Sequence, residues 1–426
     1  MVVTDATSIA ANQTQTPAIK PRSREGGASL SPLMKTAPSY LITAILALQY
    51  AGPVQAAPYV PQDDTQILEQ LPASMGRAAQ EQRALRSQLK EEPHDLKLAI
   101  HVARRYIEIG RAESDPRYLG YAQAALQPWW DQSKPPAEVL LLRATLRQNR
   151  HDFEAALHDL AMALSQDPRN TQAWLTRAVI LEVQGRYPEA LRSCLPLMNL
   201  AEGLLATTCM SSAESLSGHA GESYERLLQA LGSSKAASLE VQLWALTVLA
   251  EIAARTGNYT AAEQHFREAL SLGSPDAYLL AAYADLLLDQ KRFEEVATLL
   301  RKKTRIDGLL LRLTLSEGEL GSAQFPEHLE TLKARFAASR QRGDTVHQGE
   351  EARFTLHLLR KPKEALKLAL ANWAVQREPR DARILLEAAL AAPNSAAAQP
   401  ALDMLKSTAL EDVQLQRLAA RIEEIP

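Results

Sequence analysis

The chain has 426 residues, balances 50 acidic against 47 basic side chains for a net charge of −3, and is 46% apolar but only 5% aromatic. That length exceeds one ordinary compact domain, and interspersed charges of both signs offer no basic stripe, which excludes nucleic acid as an expected partner. An apolar fraction built on Ala and Leu rather than on rings suits helices packed closely against one another.

Residues 1–33 are rich in Thr, Ser, Ala, Gln and Gly without a sustained apolar period, and are expected to form a disordered leader. The pattern then changes. Lys35 precedes an apolar run from Tyr40 to Leu48, and Val54, Gln55 and Ala56 supply the small-x-small end of a signal-peptidase site, so 34–56 reads as a signal peptide. Its apolar run is about ten residues, half of what crosses a bilayer, so no stable membrane insertion is expected after cleavage. Met34 makes a better start than Met1, which would give the signal an unusually long leader. The compartment expected is the bacterial periplasm. Residues 57–65, with Pro58 and Pro61, read as an extended tether.

Over 66–135 a helical cap and a divergent hairpin are expected. Leu68, Leu71, Met75, Ala78, Leu85 and Leu89 follow a helical period from Ile67 to Lys90, which Pro72 and Gly76 can break. Leu96 to Gly110 and Tyr118 to Trp130 form the next two helices. From residue 136 the chain repeats itself. A shift of 34 residues lays Leu140 over Trp174, Ala144 over Ala178, Phe153 over Tyr187 and Ala156 over Ala190. The same shift lays Leu246, Ala250, Tyr259, Ala262 and Phe266 over Leu280, Ala284, Phe293, Val296 and Leu300. A fixed period of this length is the mark of stacked helix-turn-helix units. The alanines permit close approach of the two helices, the aromatics open each second helix, and Gly185 and Gly257 stand where the reversal needs positive φ. Pro188 is expected at the first position of its helix, where a missing donor costs nothing.

At these residues, and at Asp167 and Pro168 in the terminal turn, the chain resembles the tetratricopeptide repeat family. The resemblance implies an all-α fold, a right-handed solenoid of stacked antiparallel helix hairpins, with the array over 136–304 and degenerate repeats with a carboxyl-terminal cap over 305–426. In the latter, Gly308 to Leu320 pairs with Glu327 to Arg340, Glu350 to Leu359 with Lys363 to Ala374, and Ala382 to Ala391 with Ala398 to Lys406. Leu410 to Ile422 closes the array.

Cys194 and Cys209 are the only cysteines. They lie equally far from the turn around Leu200 to Glu202, so antiparallel neighbours joined there bring them to one height, and in an exported protein they are a candidate disulfide. The alternative is two buried thiols.

No glycine-rich phosphate loop, zinc-type CxxC pair, HExxH or serine elbow occurs, so neither catalysis, metal nor cofactor is expected. His151 with His158, and His94 with His101, are read as solvated or capping residues. The family resemblance places the first helix of each unit on the concave side, and with it a groove for a protein or peptide partner. The residues so placed are Glu138, Leu141, Thr145 and Gln148; Gln172, Leu175, Val179 and Glu182; Trp244, Thr247 and Glu251; and Tyr278, Ala281 and Asp285. This set departs from the Lys and Asn pattern with which some family members clamp a terminal carboxylate. The function expected is a non-catalytic exported scaffold, with an envelope-protein assembly factor or chaperone as the alternative.

Overall fold

The computed structural model describes residues 77–424 apart from positions 114, 235 and 274. The leader, signal and tether expected over 1–65 lie outside these residues. The described residues from Ala84 onward belong to one compact unit. The helical array lies within it.

Helix α1 (Arg77–Glu91) lays Leu85 and Leu89 on a cluster built by α2 (Leu96–Glu113), α3 (Arg117–Ala125) and α4 (Gln127–Trp130). The expected Tyr118–Trp130 helix is split into the last two, with Pro128 in the first turn of α4, where its missing N–H has no partner to lose. Antiparallel hairpins then succeed one another: α5 (Ala137–Asn149) with α6 (Phe153–Gln166), and α7 (Thr171–Val183) with α8 (Tyr187–Cys194). The one-turn α9 (Leu197–Leu200) leads to α10 (Gly203–Glu214) with α11 (Ala220–Ser233), α12 (Leu239–Arg255) with α13 (Tyr259–Ser271), and α14 (Ala277–Asp289) with α15 (Phe293–Leu300). Past the break in period the same scheme continues: α16 (Asp307–Leu320) with α17 (Phe325–Gln341), α18 (Gln348–His357) with α19 (Pro362–Trp373), and α20 (Pro379–Ala391) with α21 (Ser395–Thr408). Helix α22 (Val413–Glu423) closes the unit. The architecture is an all-α solenoid.

The residues that define the period do what their chemistry suggests. Ala144, Ala156, Ala178, Ala190, Ala250, Ala262 and Ala284 are buried, and Phe153, Tyr187, Tyr259 and Phe293 each occupy the first position of a second helix. Both expected glycines take positive φ, 73° at Gly185 and 85° at Gly257. The same conformation recurs two residues before other second helices, at His151, Gly218, Lys291 and Arg360. The turn geometry is therefore a property of the repeat, and glycine is its least costly occupant rather than a requirement. Pro188 stands second in α8, not first, which is equally harmless because the first four N–H groups of a helix have no partner within it.

Asn170, Asn258 and Asp276 cap α7, α13 and α14 with side-chain oxygens that accept the N–H groups of Ala173, Ala261 and Leu279. Apolar packing runs from hairpin to hairpin without respect for the break in period. One cluster joins Leu246 and Phe266 to Leu309, Leu313, Phe336 and Phe354, so the boundary expected at 304/305 is not a gap in the packing.

Cys194 and Cys209 are bonded, with Cα atoms 5.7 Å apart. Both are buried. Pro196 does interrupt its helix, but the interruption follows Cys194 and leaves that residue on the last turn of α8, level with α10. A loop of 15 residues gives such a bond a worth of about 3 kcal/mol.

Candidate binding cavity

First helices face inward along the array. Those of α10, α12, α14, α16, α18 and α20 supply most of the lining of a cavity of about 430 Å³. Its wall carries many charged residues among apolar ones. Asp285 on α14 accepts from Arg312 of α16 at 2.6 Å and from Arg353 of α18 at 2.6 Å. One turn on, Asp289 holds Arg383 of α20 bidentately at 2.8 and 2.6 Å, and Glu387 takes Arg383 at 2.8 Å and His357 at 2.9 Å. These pairs tie four successive first helices together along the inner surface. Burial alone would raise the carboxyls of Asp285 and Glu387; their cationic partners overrule it and hold both well down, Glu387 at about 2.

Four carboxyls on the wall have no such partner among the described residues: Asp381 accepts the Asn372 amide and the Glu378 N–H, Asp412 accepts the Gln414 and Leu415 N–H groups, and the other two accept hydroxyls. Glu182 accepts only the Ser212 hydroxyl, at 2.6 Å, and Glu251 accepts the Tyr278 hydroxyl at 2.5 Å. Burial pushes Glu182 up to about 7, with the charges of Glu378 and Glu251 adding to the effect, and Glu251 is raised by burial as well. Because its folded value lies above the usual carboxyl value, Glu182 favours the fold in its protonated form, and that contribution fades as pH rises through neutrality. Arg380 lies over the Tyr278 ring, 5.6 Å from its centroid, and pairs with Glu378.

Of the residues expected in the groove, Glu182, Glu251, Tyr278, Ala281 and Asp285 line this cavity. Leu141, Thr145, Leu175, Val179, Trp244 and Thr247 do not; they are buried between helices. Thr145 and Thr247 turn their hydroxyls onto the carbonyls of Leu141 and Leu243 in their own helices. Trp244 belongs to an apolar cluster with Leu204, Leu205 and Val248 rather than to a groove wall. The physical reason is the lean of consecutive first helices. A residue on this stripe reaches back to the preceding first helix, and where that helix offers leucine the side chain is covered. Tyr278, in register with Trp244 at the shift of 34, meets Glu251 instead and stays at the cavity. Glu138 is exposed, and Gln148 and Gln172 are half-buried, away from the lining.

Lining residues absent from the sequence expectation come mainly from the carboxyl-terminal half: Arg312, Arg353, Glu378, Arg380, Arg383 and Glu387. Their signal was present as arginines at spacings of three, Arg377, Arg380 and Arg383, but the broken period gave no frame in which to align them. His151, expected as a solvated or capping residue, stacks on Phe153 and lines the cavity, where burial lowers its ring to about 4.

No curated protein matches the chain. Among solved structures, the Cut9–Hcn1 assembly of the APC/C is 12% identical, with 82% of this chain and 90% of that chain covered, at a TM-score of 0.39. The monomeric IFIT1 mutant solved with Gppp-AAAA is 14% identical over 82% of this chain and 87% of that one, at 0.44, and yeast Tom70 is 11% identical over 81% and 91%, at 0.30. A family model described as tetratricopeptide repeat matches residues 141–195 and 245–302. These segments contain the hairpins α7–α8 and α14–α15 and the larger part of α5–α6 and of α12–α13, the stretches over which the period of the chain is strongest.

Proposed function

We propose that the protein is an exported, non-catalytic scaffold that binds a protein or peptide segment against the inner surface of its first helices. The observation that carries this reading is the composition of the cavity wall. It combines an aromatic ring at Tyr278 with carboxyls at Glu182 and Glu251 that have hydroxyl but, among the described residues, no cationic partners. Such a surface can order an extended segment through a few anchors and polar contacts. The bridged pair Cys194–Cys209 is in keeping with an oxidising compartment, and supports export to the periplasm.

A diazirine side chain placed at Ala281 tests the site. On irradiation in intact cells, Ala281 in the cavity is expected to form covalent adducts with a defined partner. The same group at Leu228, which is exposed on the second helix α11, is expected to form few. Adducts from Leu228 but not Ala281 would move the binding surface to the outer helices.

A further inference from the structure

In a solenoid each hairpin touches its neighbours in sequence, so a contact between distant hairpins is an addition to the fold and not a condition of it. This chain has a set of such contacts. The stretch between α19 and α20 returns to the turn between α7 and α8: the Arg377 N–H donates to the Val183 carbonyl at 2.8 Å, and the Tyr187 hydroxyl donates to the Arg377 carbonyl at 3.3 Å. One hairpin on, Glu411 accepts the first N–H of α11, that of Ala220, at 2.6 Å across 191 positions of sequence. A carboxylate suits that place because the start of a helix presents unpaired donors and the positive end of its dipole. At the next hairpin, Gln414 of α22 donates to the Tyr259 hydroxyl at 3.3 Å.

Three successive turns thus receive the carboxyl-terminal helices, and each turn carries a glycine. A Cβ at Gly185 would stand 3.2 Å from the Arg377 Cβ, one at Gly218 would stand 3.1 Å from the Ala409 Cβ, and one at Gly257 would stand 3.6 Å from Val413. The repeat needs only positive φ at these positions, which His151, Lys291 and Arg360 also supply. Glycine at the three docking turns has a second use, the close approach of another segment. On the apolar side the seam is thin. Among the described residues, Tyr187 and Leu216 are the only buried ones from the amino-terminal side in the cluster that α18 to α22 form.

We propose that this seam is a latch: the carboxyl-terminal helices close over the cavity against the turns at Gly185, Gly218 and Gly257, and release from them, without disturbing the stacking of consecutive hairpins. The seam is polar and narrow, whereas each hairpin is held to the next by buried leucines and alanines, so the seam is the interface that opens first. A partner segment reaches the inner wall when the latch is open. That last clause rests on the binding role proposed above; the latch itself does not.

The Arg377 amide is a direct probe, since its one acceptor is the Val183 carbonyl on the far side of the seam. In native-state hydrogen exchange of the full chain, Arg377 is expected to be protected on the order of 10²–10³-fold, and less than Ala250 in the middle of α12. Combining Tyr187→Phe, which removes one seam hydrogen bond, with Glu411→Leu, which removes the acceptor of another at similar volume, should speed exchange at Arg377 by roughly tenfold or more while leaving Ala250 unchanged. Exchange of Arg377 at its unprotected rate in the unaltered protein would overturn the proposal, because no seam would exist. So would exchange of Arg377 and Ala250 together, or an Arg377 rate indifferent to the double substitution. For access, Ala281→Cys is the only free thiol in the oxidised protein. A polymer-linked maleimide should label it faster when the two seam substitutions are present; equal rates would refute gating while leaving the binding site itself untouched.

Discussion

Replacing Asp159 with alanine is expected to destabilise the amino-terminal hairpins by about 3–5 kcal/mol, the usual cost of leaving a buried charge without its partner. Asp159 on α6 has no solvent exposure. It accepts from Arg143 at 2.9 and 2.7 Å and from Arg147 at 2.8 Å, both on α5. Arg143, itself buried, also donates to the Trp130 carbonyl and lies 5.9 Å from the centroid of that ring. One carboxylate therefore holds α4, α5 and α6 in mutual register. Its removal strands a guanidinium that cannot reach water. Thermal unfolding with exchange at α5 and α6 amides should show the loss concentrated there. Converting both members together, Arg143→Met with Asp159→Leu, should recover most of the loss, since a buried pair is worth little more than well-packed apolar residues of similar size. A double variant as unstable as Asp159→Ala would mean that the pair contributes more than mutual neutralisation.

Trp244→Ala is the second large effect, about 3–5 kcal/mol from lost burial and the space left behind. The ring is 6% exposed, lies among the leucines of α10, and its indole Nε1 has no hydrogen-bond partner among the described residues. The loss should appear as a lower melting temperature of the middle hairpins, measurable by calorimetry. A variant that melts like the parent protein but no longer forms adducts from Ala281 would return Trp244 to the groove where the family resemblance placed it.

These two residues show what the sequence revealed and what it concealed. Hairpin identity was legible because the requirements for close helix approach and for a positive-φ turn repeat at fixed spacing, and nearly every expected helix appears within a few residues. At the shift of 34, Arg143 corresponds to Arg177 and Asp159 to Ser193. The repeat keeps the arginine and loses the acid. Arg177 instead lies over the Trp174 ring, 5.7 Å from its centroid, and Ser193 bonds the Glu189 carbonyl of its own helix. A buried ion pair confined to one hairpin leaves no trace in a period. The groove was legible only in part because the stripe that faces inward on an isolated hairpin is covered wherever the preceding helix leans over it. Opaque altogether was the return of Arg377, Ala409 and Glu411 to turns nearly two hundred residues earlier, since such contacts have no local signature.

That return is the central claim, and proximity tests it most directly. Gly218→Cys combined with Ala409→Cys places two thiols whose Cβ atoms would lie within reach of a bond, 3.1 Å apart before adjustment. Positive φ at position 218 is no bar, because among the described residues four other than glycine already adopt it. Under mild oxidation the double variant should form an internal bridge, recovered as one peptide that joins positions 218 and 409. Quantitative alkylation of both thiols, with the bond between Cys194 and Cys209 intact, would contradict it.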